Sequence, residues 1–260
     1  MSSRINNLFQ TKSSGILSVF YTAGYPALQD TIQIAVDLEK AGVDMIEIGI
    51  PFSDPVADGP VIQASNKVAL DNGMTLALLL EQLKVIRQTV RIPIILMGYV
   101  NPVLQYGYER FCKDAAAAGA DGLILPDLPL DVYEKRYKAA TESAGLVNVF
   151  LISPTTSEER IRRIDAVSGG FIYAVSASST TGTRSGFTTD QTSYFQRLKD
   201  MSLTNPLLIG FGISDQSTFH EACRYATGAI VGSAFIKLIG SAGGGLEGIE
   251  GFVRGLRSGG

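Results

Sequence analysis

The chain has 260 residues, of which 45% are hydrophobic and 18% charged, and its formal net charge is −3. This acidic balance argues against non-specific binding of nucleic acid, which requires a basic surface. One histidine and two cysteines, Cys112 and Cys223, are too few for a metal site built on several histidines or for a Cys-His zinc cluster. We therefore expect no metal site, and two free thiols in a reducing compartment.

The N-terminal stretch "MSSRINNLFQTKSSG" contains no apolar signal-peptide core. No apolar run approaches the roughly 18 residues that a membrane helix requires. We expect a cytoplasmic protein that does not enter a membrane.

Eight short apolar runs, rich in β-branched residues, predict strands. They lie at 16–24, 43–52, 92–100, 120–129, 147–154, 170–177, 206–213 and 228–235. Their apolar character is almost continuous, which is typical of parallel strands that are covered on both faces.

Helical patterns fill the gaps between the runs, for example at 30–42, 108–120, 132–145 and 156–170, and several of them close with Ala-Gly. The repeating unit averages roughly 30 residues, the size of a βα unit. After the second strand there are two helical stretches, "GPVIQASNKVALDNG" and "TLALLLEQLKVIRQTV".

This alternation predicts an α/β fold, a (β/α)8 TIM barrel with an extra helix after strand 2, as a single domain over residues 1–260. A doubly wound open sheet is the alternative architecture. It usually carries a G-x-G-x-x-G turn after its first strand, and "TAGYPALQDT" has no such turn.

A carboxylate interrupts the second apolar run, in "IEIGIPFSDPVADGP" (46–60). Strand alternation places Ile46 and Ile48 on one side and Glu47 on the other. If the isoleucines pack against helices, Glu47 points into the mouth of the barrel, where desolvation raises its pKa into the range of a general acid or base. The alternative is an ion pair, but the strands are nearly free of Lys and Arg.

Asp54 and Asp58 follow in the loop after this strand, at the end of the barrel where active sites form. Aspartates are also ordinary turn residues. Their spacing alone leaves both interpretations open.

Glycine loops follow three later strands and indicate a phosphate site. They are "TTGTRSG" (180–186), "GFGIS" (210–214) and "VGSAFIK" (231–237), the last of which enters a short helix. Glycines that only shorten βα turns are the alternative. No Walker-type G-x-x-x-x-G-K-[ST] is present, which argues against nucleotide hydrolysis.

Apolar and aromatic residues lie near the strand ends between these loops: Phe20, Leu96, Tyr99, Leu125, Ile152 and Tyr173. Any one of them is more often core than a ligand contact. Tyr173 is the best candidate for a role, because a buried hydroxyl needs a partner.

The segments "IEIGIPFSDPVADGPVIQ", "NPVLQYGYERF", "DGLILPDLPLDV", "LISPTTSEERI" and "GFGIS…VGSAFIK" closely resemble the tryptophan synthase alpha subunit family. The resemblance runs from about residue 4 to about residue 256. The specific signature E-x-G-x-P-F-S-D-P-x-A-D-G-P is met at every position from Glu47 to Pro60.

The resemblance implies cleavage of indole-3-glycerol phosphate to indole and glyceraldehyde 3-phosphate, a retro-aldol reaction without metal or cofactor. It implies that Glu47 is both acid and base, and that Asp58 accepts a hydrogen bond from the indole N–H. Tyr173 would help to position the substrate.

The resemblance also implies the substrate contacts. Backbone amides near Gly182, Gly212, Gly232 and Ser233 would hold the phosphate, and Phe20, Leu125 and Ile152 would line the indole pocket. The loop after strand 6 would be a lid that includes Thr181. This lid departs from the family's usual G-V-T-G, because Ser179 and Thr180 replace glycine and valine.

The implied partner is a pyridoxal-phosphate-dependent beta subunit that receives indole through a tunnel, in an alpha2-beta2 heterotetramer. The loop after strand 2 and residues 99–107 would form the docking face.

Three alternatives remain: a stand-alone lyase that releases free indole, an idle homologue that activates beta, and another phosphate-binding barrel such as an isomerase.

Overall fold

In a computed structural model, which describes residues 4–176, 186–241 and 244–258, parallel strands form a barrel. Its strands are β1 (Ile16–Thr22), β2 (Met45–Gly49), β3 (Ile94–Met97), β4 (Gly122–Ile124), β5 (Val147–Val149 and Leu151–Ile152), β6 (Ile172–Val175), β7 (Leu207–Gly210) and β8 (Gly228–Val231).

The barrel closes through β5, which Phe150 divides into two segments. The first segment pairs with β4 and the second with β6, and β1 joins β2 to β8. The nine hydrogen-bonded segments therefore make the eight strands of a barrel, and the predicted TIM barrel is confirmed.

Helices follow the strands and cover the barrel. They are α1 (Arg4–Thr11), α2 (Asp30–Lys40), α3 (Pro60–Asp71), α4 (Leu76–Thr89), α5 (Val100–Tyr106), α6 (Tyr108–Ala118), α7 (Leu130–Val132, a π-helical turn Tyr133–Tyr137, and Lys138–Ser143), α8 (Glu158–Val167), α9 (Thr189–Asp200), α10 (Gln216–Tyr225), α11 (Ser233–Ile239) and α12 (Leu246–Arg257). Both α3 and α4 lie between β2 and β3, which confirms the extra helix after strand 2.

The strand register decides which side chains enter the barrel. Phe20 of β1 pairs with Glu47 of β2, which pairs with Ile95 of β3. Following the pairs around the sheet gives Tyr173 of β6 the same face as Glu47. Since β2 and β6 are four strands apart, these two side chains point into the interior from opposite sides of the barrel.

Two carboxylates hold the N-terminal end of the barrel. Asp121, before β4, pairs with Arg87 of α4 and with Arg4 of α1, the latter at 3.0 Å. Asp44, before β2, pairs with Lys12 at 2.7 Å and with Arg257 of α12 at 2.5 Å. Together these contacts fix α1 and α12 to the end of the barrel opposite to the loops that follow the strands.

The cysteines are free, with Cys112 buried and Cys223 half-buried, as the sequence predicts. No helix in the three described ranges combines the length and the apolar character needed to cross a membrane.

Candidate active site

Glu47 is a fully buried carboxyl inside the barrel, with 0% of its surface exposed. Ser18 of β1 donates a hydrogen bond of 2.8 Å from its Oγ to Glu47 Oε1. The second oxygen, Oε2, is buried and has no hydrogen-bond partner among the described residues. One oxygen of the carboxyl is therefore fixed, and the other remains available.

Burial raises the pKa of Glu47 to about 8, because the interior disfavours the charged form. The hydrogen bond from Ser18 acts in the opposite direction, since it stabilises the carboxylate. At neutral pH most Glu47 side chains are consequently protonated, and the group can act as a general acid.

Asp58 lies in the loop after β2 and is held by Tyr99, the residue before α5. The Tyr99 hydroxyl donates to Asp58 Oδ2 at 3.0 Å and accepts from the Ala57 backbone N–H at 2.9 Å. Burial raises the pKa of Asp58 to about 6, against the lowering effect of the Tyr99 hydrogen bond. Asp58 is accordingly mostly charged at neutral pH.

Tyr173 lies close enough to both acids to be affected by their charges. Burial raises its pKa well above the usual value, and the charges of Glu47 and Asp58 add to the rise. Gly210 on the adjacent strand makes room for it, because a Cβ at that position would overlap the tyrosine ring. The three residues predicted as catalytic thus share one interior.

A cavity opens beside Asp58 at the strand ends. Its lining includes Phe20, Gly49, Asp58, Asn66, Met97 and Tyr99. The ring of Phe20 packs over Gly49, where a Cβ would come within 2.6 Å of it. The predicted apolar wall at Phe20 and the predicted acid at Asp58 therefore border the same space.

The register does not bring the other two predicted wall residues to this face. Ile124 pairs with Met97, so alternation gives Ile124 the interior and the next residue, Leu125, the outer side. On β5, Leu151 pairs with Tyr173, which faces the interior. Ile152 pairs with Ala174, the next residue, and alternation therefore gives it the outer side. Leu125 and Ile152 are both buried, and alternation assigns them to the face opposite to Glu47, which argues against their expected place in the pocket.

The predicted phosphate glycines lie in the loops after β7 and β8. Gly212 has a φ of +84°, a backbone conformation that side chains rarely adopt, and Gly232 precedes Ser233, the first residue of α11. A Cβ on Gly232 would lie 3.6 Å from the ring of Phe20, so this loop reaches the cavity. Thr181 and Gly182, the predicted lid and phosphate residues after β6, lie outside the described residues.

The sequence interpretation missed Ser18, Met97 and Ile124. A polar residue within the apolar "ILSVF" was the available signal for Ser18, but its partner depends on the β1–β2 register.

Over the ranges that the structure covers, no group of three or more His, Cys, Asp or Glu is placed to hold a metal ion.

Comparison with known proteins gives a consistent result. Residues 7–250 match the sequence profile of the family described as tryptophan synthase alpha chain. The tryptophan synthase alpha chain of Flavobacterium psychrophilum is 62% identical over 234 residues, covering 90% of this chain and 92% of that protein. That of Bacteroides thetaiotaomicron is 50% identical and covers 91% and 92%.

Solved structures show the same likeness. The tryptophan synthase subunit alpha from Legionella pneumophila superposes with a TM-score of 0.89 at 33% identity, covering 99% of this chain and 98% of that one. A chain of Mycobacterium tuberculosis tryptophan synthase gives a TM-score of 0.87 at 32% identity, with 98% and 97% covered.

Proposed function

Because the chain belongs to the tryptophan synthase alpha chain family, whose reaction is the cleavage of indole-3-glycerol phosphate in tryptophan biosynthesis, we propose that Glu47, Asp58 and Tyr173 catalyse that reaction here as a carbon–carbon lyase. The observation that carries the proposal is the fully buried Glu47 with one unpartnered oxygen. A buried acid without a cation is costly unless its neutral form is used.

Glu47 begins the reaction as the neutral acid and donates its proton to C3 of the indole ring. The resulting carboxylate takes the proton of the glycerol C3′ hydroxyl. As the C3–C3′ bond breaks, its electrons return to the ring, indole forms, and C3′ becomes the aldehyde carbon. Glu47 ends the cycle protonated, so one residue serves as acid and base.

Asp58 acts as a carboxylate. Protonation at C3 leaves positive charge on the indole nitrogen, and a carboxylate that accepts a hydrogen bond from this N–H stabilises the charge. The Tyr99 hydrogen bond supports this role, because it holds Asp58 in place and favours its charged form. Tyr173, which is buried and feels the charges of both acids, positions the substrate.

The substrate then lies across the mouth of the barrel. Its ring would contact Phe20, with Met97 and Ile124 on the same interior face. Its phosphate would be bound by backbone amides near Gly212, Gly232 and Ser233, joined by Gly182 from the lid. The exposed helix start and the glycine at positive φ support this end of the pose.

The family works with a beta subunit, and two exposed apolar side chains support the docking face expected here. Val56, in the loop after β2, is 86% exposed, and Leu104 of α5 is 43% exposed. We propose that they contact a pyridoxal-phosphate-dependent beta subunit in a cytoplasmic alpha2-beta2 assembly. Tyr99 and Asp58 lie next to these segments along the chain, so a partner that docks there would be close to the catalytic loop.

A product assay tests the proposed roles. Indole formation from indole-3-glycerol phosphate is measured for the wild type, Glu47→Gln and Asp58→Asn, each with and without a tryptophan synthase beta subunit. We expect Glu47→Gln to reduce kcat by about 10²- to 10⁴-fold or more, because it removes both proton transfers. Asp58→Asn should reduce it by about 10²-fold through lost charge stabilisation.

Near-UV circular dichroism identical to the wild type is the control for folding. A Glu47→Gln variant that keeps wild-type turnover contradicts the proposed mechanism. Rapid turnover that a beta subunit does not increase would instead favour the stand-alone lyase, since that enzyme needs no partner.

A further inference from the structure

The buried hydroxyl of Ser18 is the only protein group in the described residues that forms a hydrogen bond with the carboxyl of Glu47. Ser18 lies on β1 and is 0% exposed. It pairs with Met45, two residues before Glu47, so both side chains enter the interior from adjacent strands. Its hydroxyl donates a hydrogen bond of 2.8 Å to Glu47 Oε1.

Within the described ranges, no other side chain forms a hydrogen bond with Glu47. Its in-register neighbours, Phe20 on β1 and Ile95 on β3, are apolar. Among the titratable groups, Tyr173 of β6 lies on the same interior face. The charge of Glu47 raises the pKa of Tyr173, and the charge of Asp58 raises it as well. None of the ion pairs found in the described ranges involves Glu47.

The two carboxyl oxygens are therefore not equivalent. Ser18 fixes Oε1 through a hydrogen bond, whereas Oε2 is buried and unpartnered. A glutamate side chain rotates freely about its terminal bond unless such a contact holds it. Proton transfer requires the acid oxygen to lie within about 3 Å of the reacting carbon and to point at it. The hydrogen bond from Ser18 therefore affects how often Glu47 is oriented for the transfer.

We propose that Ser18 is the positioning residue for Glu47: its hydroxyl holds Oε1 so that Oε2 is the oxygen that exchanges the proton with the substrate. This inference rests on the proposed role of Glu47. Ser18 itself does not touch the substrate and acts only through the carboxyl. Because its hydrogen bond stabilises the carboxylate, it also sets the pH at which Glu47 loses its proton.

The test compares Ser18→Ala with Ser18→Thr, which retains a hydroxyl, in the full chain with saturating beta subunit. Ser18→Ala should lower kcat about ten-fold with little change in KM, because the acid is no longer oriented. It should also move the alkaline limb of kcat/KM to higher pH, since the contact that favours the carboxylate is lost. Ser18→Thr should restore both values towards the wild type.

Ser65→Ala is the matched control. Ser65 of α3 is also 0% exposed and shares a buried hydrogen bond of 2.7 Å with Thr22 of the same strand β1. The Ser65→Ala substitution removes a buried hydroxyl of the same kind but leaves the hydrogen bond of Glu47 intact. An equal shift of the alkaline limb in Ser65→Ala, or an unshifted limb in Ser18→Ala, overturns the proposal.

A direct titration separates this inference from the proposed function. The ¹³C resonance of the Glu47 carboxyl, assigned by its absence in Glu47→Gln, is followed against pH without substrate. A midpoint that rises in Ser18→Ala and returns in Ser18→Thr supports the positioning contact even if Glu47→Gln proved active. An unchanged midpoint refutes the contact even if Glu47→Gln abolished turnover.

Discussion

At the scale of single residues, the site depends on two carboxyls that must be in opposite states. Burial inside the barrel raises the pKa of Glu47 to about 8, and partial burial raises that of Asp58 to about 6. The proposed mechanism needs Glu47 protonated and Asp58 charged at the start of the cycle. Both conditions hold together only between these two values.

We therefore expect a bell-shaped dependence of kcat/KM on pH, rising through about 6 and falling through about 8. Below the acid limb Asp58 gains a proton and no longer stabilises the indole nitrogen. Above the alkaline limb Glu47 has lost the proton that it must donate. The measurement is kcat/KM for indole formation from pH 5 to 9.5 at constant ionic strength.

Tyr99→Phe provides the internal check on the acid limb, because the second ionisation of a substrate phosphate also has a pKa of about 6. The variant removes the hydrogen bond that lowers the pKa of Asp58. The acid limb should consequently move to higher pH while the alkaline limb stays in place. If the acid limb does not move, it reports the substrate rather than Asp58.

The sequence predicted the orientation of Glu47, because alternation within one strand is enough to separate it from Ile46 and Ile48. It did not place Leu125 and Ile152, since their facing depends on where the strand ends and on the register with neighbouring strands. The same dependence hid Ser18, whose partner lies 29 residues away on another strand.

At the scale of elements, the packing of β6 against β7 sets the position of Tyr173. Gly210 ends β7 and leaves the space that the tyrosine ring occupies. We expect Gly210→Ala to displace the ring, lowering kcat/KM about 10²-fold and stability by about 1–3 kcal/mol. Indole formation and urea unfolding measure the two effects.

Gly251→Ala is the matched control within the same chain. Gly251 lies in the middle of α12, and a Cβ there would meet open space. The substitution should leave activity unchanged and raise stability by about 0.5–1 kcal/mol, because alanine favours the helix. Equal activity in both glycine variants would show that the space at Gly210 is not needed.

The predicted strands agree with the observed ones in number and order but less well in length. The run at 120–129 becomes the three-residue β4, because the prolines at 126 and 129 interrupt further pairing. The break at Phe150 and the π-helical turn in α7 leave no pattern in the sequence. Helix α1 escaped prediction, because it is held by distant partners: its Arg4 pairs with Asp121, and Lys12, just after its end, pairs with Asp44.

At the scale of the whole molecule, chemistry and stability occupy opposite ends of the barrel. The acids and glycine loops lie at the carboxyl ends of the strands, and the ion pairs of Asp44 and Asp121 lie at the amino ends. The guanidinium of Arg87 also donates to the carbonyls of Gly119 and Ile92, both at 2.6 Å. This residue therefore connects α4, the end of α6 and the start of β3.

Arg87→Met should consequently reduce the free energy of unfolding by about 3–5 kcal/mol, since it leaves the buried Asp121 charge with less compensation. Activity per folded molecule should stay at the wild-type level. Urea unfolding gives the first quantity, and a product assay at low denaturant gives the second.

Lys67→Met is the comparison for this prediction. Lys67 and Asp71 form an ion pair at 2.6 Å, but their side chains are 77% and 63% exposed. Its loss should cost less than about 1 kcal/mol. Equal losses in the two variants would mean that burial does not decide the strength of these pairs.

Asp44 has a wider consequence, because Lys12 after the first helix and Arg257 at the end of the last helix both bind it. The beginning and the end of the described chain are therefore neighbours in space. In topological terms the barrel is nearly a ring of βα units cut at one place, and a short peptide across that cut would close it. A circularly permuted chain with its new ends in another loop would retain every strand of the barrel and every pair of neighbouring strands.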